Sequence, residues 1–469
     1  MIAMSLNDAM TIIQGEECSD EVTFSGVSID SRKLEPGELF VAIEGPNFDG
    51  HDFVDVAHQR GAAAAMVSKS VECSIPKLQV ANTRKALSSL SKGWRQRYSS
   101  PLVALTGSNG KTTVKEMLAA ILGQHHRVLV TKGNLNNNLG VPLTLLRLSD
   151  LDDYAVIELG ANHLTEIESL SLLAEPDVAL ITNIGVAHLE GFGSIDGIAQ
   201  AKSEIFRGLK KDGIALLNRD DKYYEYMSEQ ANDYRQISFG GSQYADIRLQ
   251  KDSLTSSLDE NAWKTYFDVA TPQGDMNIQL SLAGRHNVQN ALAAIAVAVA
   301  LEIPLADITS GLALMSPVSG RMQVRKGIGE WSVVDDTYNA NPVSLNAALE
   351  MLSTLSGAKI VVMGDMAELG DEAVALHEQA GRIAREHGID KLYGVGPLCV
   401  NTVKAFGAGA KHYDSQLELI NDLITDLHSV CTCQANTILV KGSRGAGMER
   451  IVASLVSDVI DSPSMAMAR

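Results

Sequence analysis

A chain of 469 residues, 45% apolar and 5% aromatic, has globular composition and enough length for about three domains. A formal net charge of -18 argues against a nucleic-acid or anionic-membrane partner, so any phosphate site must gather its cations locally. The opening residues lack a basic run and carry Asp8 in their apolar stretch, and the alanine-rich run 291–301 is well short of a membrane span, so a cytoplasmic chain is expected.

Residues 1–82 string short apolar runs between Pro-Gly and Gly-Pro turns, then a helical stretch at 53–60 and a strand at 63–67, the pattern of a small α/β module. Its loops carry Ser31, Arg32, Asp49 and His51, groups that suit an anionic ligand but also an ordinary surface loop. A helix at 84–98 leads to the second domain.

Residues 102–105 read as a buried strand and 114–122 as the helix after it, joined by Thr106-Gly107-Ser108-Asn109-Gly110-Lys111-Thr112-Thr113. Glycines admit phosphate oxygens to backbone N–H groups, the helix start adds partial positive charge, Lys111 supplies a cation and the Thr112 hydroxyl can reach Mg²⁺. The spacing departs from G-x-x-x-x-G-K-[ST]: the position six before Lys111 is Leu105, so the turn is two residues short.

A strand at 127–131 precedes a loop holding Asn134, Asn136, Asn137 and Asn138, a dense set of neutral donors and acceptors of which turn chemistry alone explains one or two. Strands at 154–158 and 178–184 end on Glu158 and, shortly after, His188. In open α/β sheets, ligands bind beyond the carboxyl ends of strands, so both residues point to the crevice of the phosphate loop; a solvated strand end and a capped loop histidine are the competing explanations. Residues 196–209 read as a helix on which Lys202 looks like part of a solvated face. A strand at 213–218 follows, and 235–282 is β-rich without an assignable pattern.

Asn287 and Asn290, three apart before the helix 291–301, suit the edge of an adenine, with helix capping by Asn287 as the alternative. Arg321 opens the last region. Strands at 333–338, 360–364, 391–395 and 437–441 alternate with helices, a second doubly wound sheet whose polar loops, 335–342 with Asp336, Tyr338 and Asn339, 364–370 and 441–445, form one rim.

A phosphate loop, metal-ligating oxygens and a second domain bringing Arg321 suit a kinase, an ATPase or an ATP-driven ligase. The short loop, Glu158-Leu159-Gly160, Asn183-Ile184-Gly185 with His188, Ala201-Lys202-Ser203-Glu204 and Gly284-Arg285-His286-Asn287 with Asn290 resemble the Mur ligase family in order and spacing, over nearly the whole chain. The first module is similar to the UDP-binding domain of that family's later enzymes. Residues 134–142 and 364–370 with His377 resemble the member that adds D-alanyl-D-alanine, and no Asp-Asn-Pro-Arg motif of the preceding, diaminopimelate-adding enzyme is present.

The resemblance implies an α/β protein of three domains: a UDP-binding module at 1–82, a P-loop mononucleotide-binding domain at 83–316 and a Rossmann-like domain at 317–469 that receives the incoming amine. It implies an ADP-forming ligase of peptidoglycan precursor synthesis that joins D-alanyl-D-alanine to UDP-N-acetylmuramoyl-tripeptide through an acyl phosphate, with ATP, two Mg²⁺ ions and a carbamylated Lys202. Gly107 to Thr113, with Lys111 central, would bind the phosphates, Asn287 and Asn290 the adenine, Asp336 the ribose and Arg321 the γ-phosphate. Thr112 and Glu158 would hold one Mg²⁺, His188 and the modified Lys202 the second. Ser31 and Arg32 would lie near the uridine diphosphate, Asn134 and Asn136 to Asn138 near the sugar-peptide, and Tyr338 and Asn339 on the substrate rim. A monomer is the family expectation. Another Mur-type ligase adding the third amino acid, and outside the class a nucleotide-switched NTPase, remain alternatives.

Overall fold

The computed structural model describes residues 2–14, 22–186, 189–259, 262–329, 331–429 and 436–456. His188, expected at the second metal, lies outside the described residues.

The first module is built on four parallel strands in the order Val27–Ser28, Leu39–Val41, Ala64–Val67 and Lys77–Gln79. The sequence reading omits its first helix, Leu6–Ile13, which the Ser5 hydroxyl caps by accepting from the Asp8 N–H at 3.0 Å. The helix Thr83–Arg95 joins this module to the next, because Leu87, Leu90 and Trp94 share one apolar core with Leu6 and Leu39 on one side and Leu102 and Ile157 on the other. Arg95, 2% exposed, fixes the junction by donating to the carbonyls of Ala174 and Tyr98 at 2.9 and 2.7 Å.

Seven parallel strands form the central sheet, in the order Val128–Val130, Tyr154–Glu158, Leu102–Thr106, Val178–Ile181, Ile214–Asn218, Arg235–Gly240 and Ile247–Leu249. The last two fall in the stretch the sequence left unassigned. The remainder of that stretch is antiparallel, with Ala262–Thr271 pairing Thr255–Asp259 and Gly274–Leu280. Alternate residues of Ala262–Thr271 are buried, the period-2 signature of a sheet covered on one face, whereas the parallel strands are buried on both. The helices Lys111–Leu122 and Arg285–Ala300 cover one face; the second begins six residues before the predicted start, and its polar first turn supplies site residues.

The C-terminal domain is a six-stranded sheet in the order Gln323–Lys326, Trp331–Asp336, Asn436–Lys441, Lys359–Gly364, Lys391–Val395 and Ala410–Tyr413. The two edge strands are absent from the sequence reading; both are short and half-exposed, so they carry little apolar pattern. Gln323–Lys326 is antiparallel and the others are parallel, which sets the polar loops after Asp336, Gly364 and Lys441 on one edge facing the central domain. Among the described residues no helix is long and apolar enough to cross a membrane.

Candidate active site

The two doubly wound sheets enclose a cleft of about 1170 Å³, lined by the phosphate loop, the asparagine loop and the C-terminal rim. At its centre the strand Leu102–Thr106 delivers the short loop onto the helix Lys111–Leu122. Its two glycines are required by close approach: a Cβ on Gly107 would lie 1.9 Å from Thr182 Oγ1, and one on Gly110 2.1 Å from Asn290 Oδ1, both at positive φ. The loop is short because the neighbouring strand end completes it. Ser108 N–H donates to the Asn183 carbonyl at 2.9 Å, Asn109 N–H to Asn183 Oδ1 at 3.0 Å, and the Thr182 hydroxyl to the Asn109 carbonyl at 2.6 Å. The Ser108 hydroxyl donates to the Gly185 carbonyl at 2.8 Å.

Lys111 Nζ folds back to the Gly107 carbonyl at 2.6 Å, and burial lowers its pKa from the usual lysine range. The Thr112 hydroxyl donates to Glu158 Oε2 at 3.0 Å and receives Arg321 Nη2 at 3.0 Å. Glu158 is 2% exposed, not a solvated strand end, and its other oxygen accepts from Asn136 Nδ2 at 2.8 Å. Asn136 therefore orients the carboxylate. Asn137 Oδ1 accepts from Gly140 N–H at 2.9 Å, the turn-chemistry role anticipated for part of this loop; it also lines the cleft, as do Asn134 and Asn138.

Lys202 is the largest departure from what its sequence context suggests. It is 2% exposed, its Nζ lies 5.3 Å from the Phe192 ring centroid, and its pKa is lowered to about 7, chiefly by burial and secondly by the charge of Lys111. Its helix is shorter than predicted, Ile195–Ser203, followed by a 3-10 turn in which Glu204 turns inward to accept from the N–H groups of Thr165 and Glu168.

Asn287 and Asn290 line the cleft on one helix face. The capping alternative fails: the N-cap residue is Gly284, while Asn287 Nδ2 donates back to the Ala283 carbonyl at 2.7 Å and its Oδ1 accepts from Asn290 at 3.2 Å. The C-terminal domain adds Arg321, whose guanidinium sits 4.1 Å over the Tyr338 ring, with Asp336 and Asn339 beside it. Lys441, which the sequence places in the rim loop 441–445 without a partner, donates to Asp336 Oδ2 at 2.5 Å and to the Asn339 carbonyl at 3.0 Å. The signal was present in the strand register, since Asp336 and Lys441 are direct partners on adjacent strands. Both are buried, and stranding either charge there costs about 3–5 kcal/mol.

Ser31 and Arg32 are not brought into this cleft: Arg32 points outward, its side chain 83% exposed and paired with Asp30 at 2.9 Å. Asp365 of the rim loop 364–370 clusters with His377 and Cys399. They are committed to its architecture. His377 donates from Nδ1 to the Ala373 carbonyl at 2.7 Å and accepts the Met366 N–H at 3.1 Å, while Asp365 accepts from Cys399 N–H at 2.8 Å.

Three family descriptions match the chain: "Mur ligase family, catalytic domain" over 23–95, "Mur ligase middle domain" over 105–298 and "Mur ligase, glutamate ligase domain" over 320–444. The UDP-N-acetylmuramoyl-tripeptide--D-alanyl-D-alanine ligase of Escherichia coli (strain K12) is 42% identical, covering 97% of this chain and 99% of its own. A crystal structure of MurF from Acinetobacter baumannii is 37% identical with a TM-score of 0.89, covering 97% of this chain and 98% of that one. MurF ligase from Thermotoga maritima in complex with ADP is 29% identical with a TM-score of 0.81, covering 92% and 96%.

Proposed function

The chain belongs to the Mur ligase family, and from that premise we propose that it joins D-alanyl-D-alanine to UDP-N-acetylmuramoyl-tripeptide with ATP as the energy source. The observation that carries this reading is the junction at Thr112, where a phosphate-loop hydroxyl meets a buried carboxylate from its own sheet and an arginine from the opposing domain. We assign 1–82, 83–316 and 317–469 to the UDP-linked substrate, ATP and the amine. ATP and a UDP-linked substrate support a cytoplasmic setting and a place in cell-wall precursor synthesis.

A carboxylate is a poor electrophile, so the tripeptide's terminal carboxylate first attacks the γ-phosphorus and ADP leaves with the bridging oxygen. The dipeptide amine then adds to the acyl carbon, loses a proton and expels phosphate, leaving the amide. Residues Gly107 to Thr113 cradle the phosphates. Lys111 and Arg321 place two cations where negative charge builds, the second only when the domains are together. Asn287 and Asn290 offer the adenine edge an amide pair, and Asp336, held by Lys441, faces the nucleotide from the C-terminal side. Ser31 and Arg32 remain assigned to the UDP end, outside the cleft, and Asn134, Asn138, Tyr338 and Asn339 to its substrate-lined wall.

The donor set suits a hard cation: Thr112 Oγ1 and Glu158 Oε2 are buried oxygens 3.0 Å apart. Thr112 and Glu158 would hold Mg²⁺ there, which would supply charge neutralisation and orientation for the transferred phosphoryl group. An ammonium at Lys202 does not fit a second cation, but a carbamate does. With its pKa near 7 the side chain supplies the neutral amine that carbamylation needs: Nζ bonds to the carbon of CO₂ and releases a proton, and the anionic oxygens that result, with His188, would hold the second ion.

A competition assay offering D-alanyl-D-alanine, diaminopimelate, lysine and glutamate tests the function. Only D-alanyl-D-alanine is expected to be joined, and ADP release is expected to need both it and the UDP-tripeptide. Equal ADP release without them would identify an NTPase, and joining of diaminopimelate or lysine the neighbouring ligase.

A further inference from the structure

Asn341 is the N-cap of the helix Pro342–Ser353 in the C-terminal domain, and it reaches across the cleft to the phosphate loop. Its Oδ1 accepts from the Ser344 N–H at 2.8 Å, and the Ser344 hydroxyl accepts from the Asn341 N–H at 3.1 Å, a reciprocal capping box. That commitment decides which way the amide points: exchanging oxygen and nitrogen would set an NH₂ against an N–H. The free end is therefore Nδ2, and it donates to Asn109 Oδ1 at 2.8 Å. Asn109 is equally fixed from behind. Its N–H donates to Asn183 Oδ1 and its carbonyl accepts from Thr182 and from Asn183 Nδ2 at 3.0 Å. The contact thus joins two rigid supports, one in each domain.

The residues that bridge the domains also share an unmet need. Asn109 Nδ2 and Arg321 Nε are buried and have no hydrogen-bond partner among the described residues. Both belong to residues lining the phosphate end of the cleft, and phosphate oxygens are the acceptors that would satisfy such donors with a small local shift.

We propose that Asn341 is a positioning residue for domain closure: its helix cap fixes the amide of Asn109, so that docking of the C-terminal domain and the arrangement of the phosphate loop become one event. The inference rests on the ATP-dependent ligase reading. Asn341 touches no reacting atom and acts through Asn109 and the approach of Arg321.

Asn341→Ser separates the two tasks of the residue, because a serine hydroxyl keeps the cap but is too short to reach Asn109. The variant is expected to melt within about 2 °C of the parent. Its kcat is expected to fall about tenfold with KM for ATP moved less than about threefold. X-ray scattering with Mg²⁺ and a non-hydrolysable ATP analogue, without tripeptide or dipeptide, should give a larger radius of gyration than the parent under the same conditions. Asn341→Ala, which loses cap and latch, should add a loss of melting temperature. Parent-like kcat and scattering in Asn341→Ser would overturn the inference, as would a loss of activity that tracks stability alone across the two variants. Should the parent form no amide, the ligase reading fails, while the scattering of Asn341→Ser still decides the latch.

Discussion

Lys202→Ala is expected to lower amide formation by on the order of 10³-fold while leaving the protein folded, and formate or acetate should restore part of the rate. The expectation follows from where the side chain sits. A lysine 2% exposed beside Phe192, with Lys111 as a second source of positive charge, is held in an environment that opposes its ammonium form. Its folded pKa of about 7 is below the ordinary lysine value, so between those two pH values the unfolded chain binds more protons than the native one. With the side chain as the free amine, before CO₂ adds, native stability therefore carries the full penalty below about pH 7 and regains it as the pH rises toward the ordinary lysine value. Lys202→Met, which keeps the volume and drops the charge, should then be at least as stable as the parent at pH 6 and as inactive as Lys202→Ala. Thermal melts at pH 6 and pH 9 separate this from a folding defect. Full activity in Lys202→Ala would remove the carbamate from the mechanism.

Lys111→Ala is expected to cost on the order of 10³-fold in kcat with little change in melting temperature. The loop does not depend on this side chain for its shape, because Asn183, Thr182 and Gly185 hold Ser108 and Asn109 through independent hydrogen bonds. On the proposed mechanism what is lost is a cation at the phosphates, and Arg321 cannot replace it, being held by Thr112 and the Tyr338 ring. A second consequence runs through Lys202. Removing the Lys111 charge raises the Lys202 pKa, so less neutral amine is present at pH 7 and the two substitutions should combine less than additively. Titration of nucleotide binding alongside turnover measures this. Unchanged ATP turnover in Lys111→Ala would take the phosphate loop out of the reaction.

The parts of this site legible in the sequence are those whose chemistry is local in the chain. Strand, glycine turn, lysine and helix are consecutive, so the loop at Gly107 to Thr113 could be read directly, and its missing residues made sense once Thr182 and Asn183 were seen to complete it. Glu158 and Arg321 followed from strand ends and domain order. Lys202 resisted reading because nothing in Ile195–Ser203 announces burial; its environment comes from Phe192 and Lys111, supplied by other elements. The Asp336 to Lys441 pair depends on strand register, and Asn341 to Asn109 on how two domains meet, neither of which any single window contains. In the fold, the buried parallel strands Leu102–Thr106, Tyr154–Glu158, Val178–Ile181 and Ile214–Asn218 were visible as apolar runs, whereas the parallel strands Arg235–Gly240 and Ile247–Leu249, polar for part of their length, and the edge strands Gln323–Lys326 and Ala410–Tyr413, short and half-exposed, were not.

The central claim is that ATP held at this loop activates the tripeptide's terminal carboxylate. Labelling that carboxylate with oxygen-18 and analysing the inorganic phosphate formed during ligation tests it directly. Transfer of one carboxylate oxygen to phosphate in each turnover is the predicted result; phosphate free of label, with amide still formed, would contradict it.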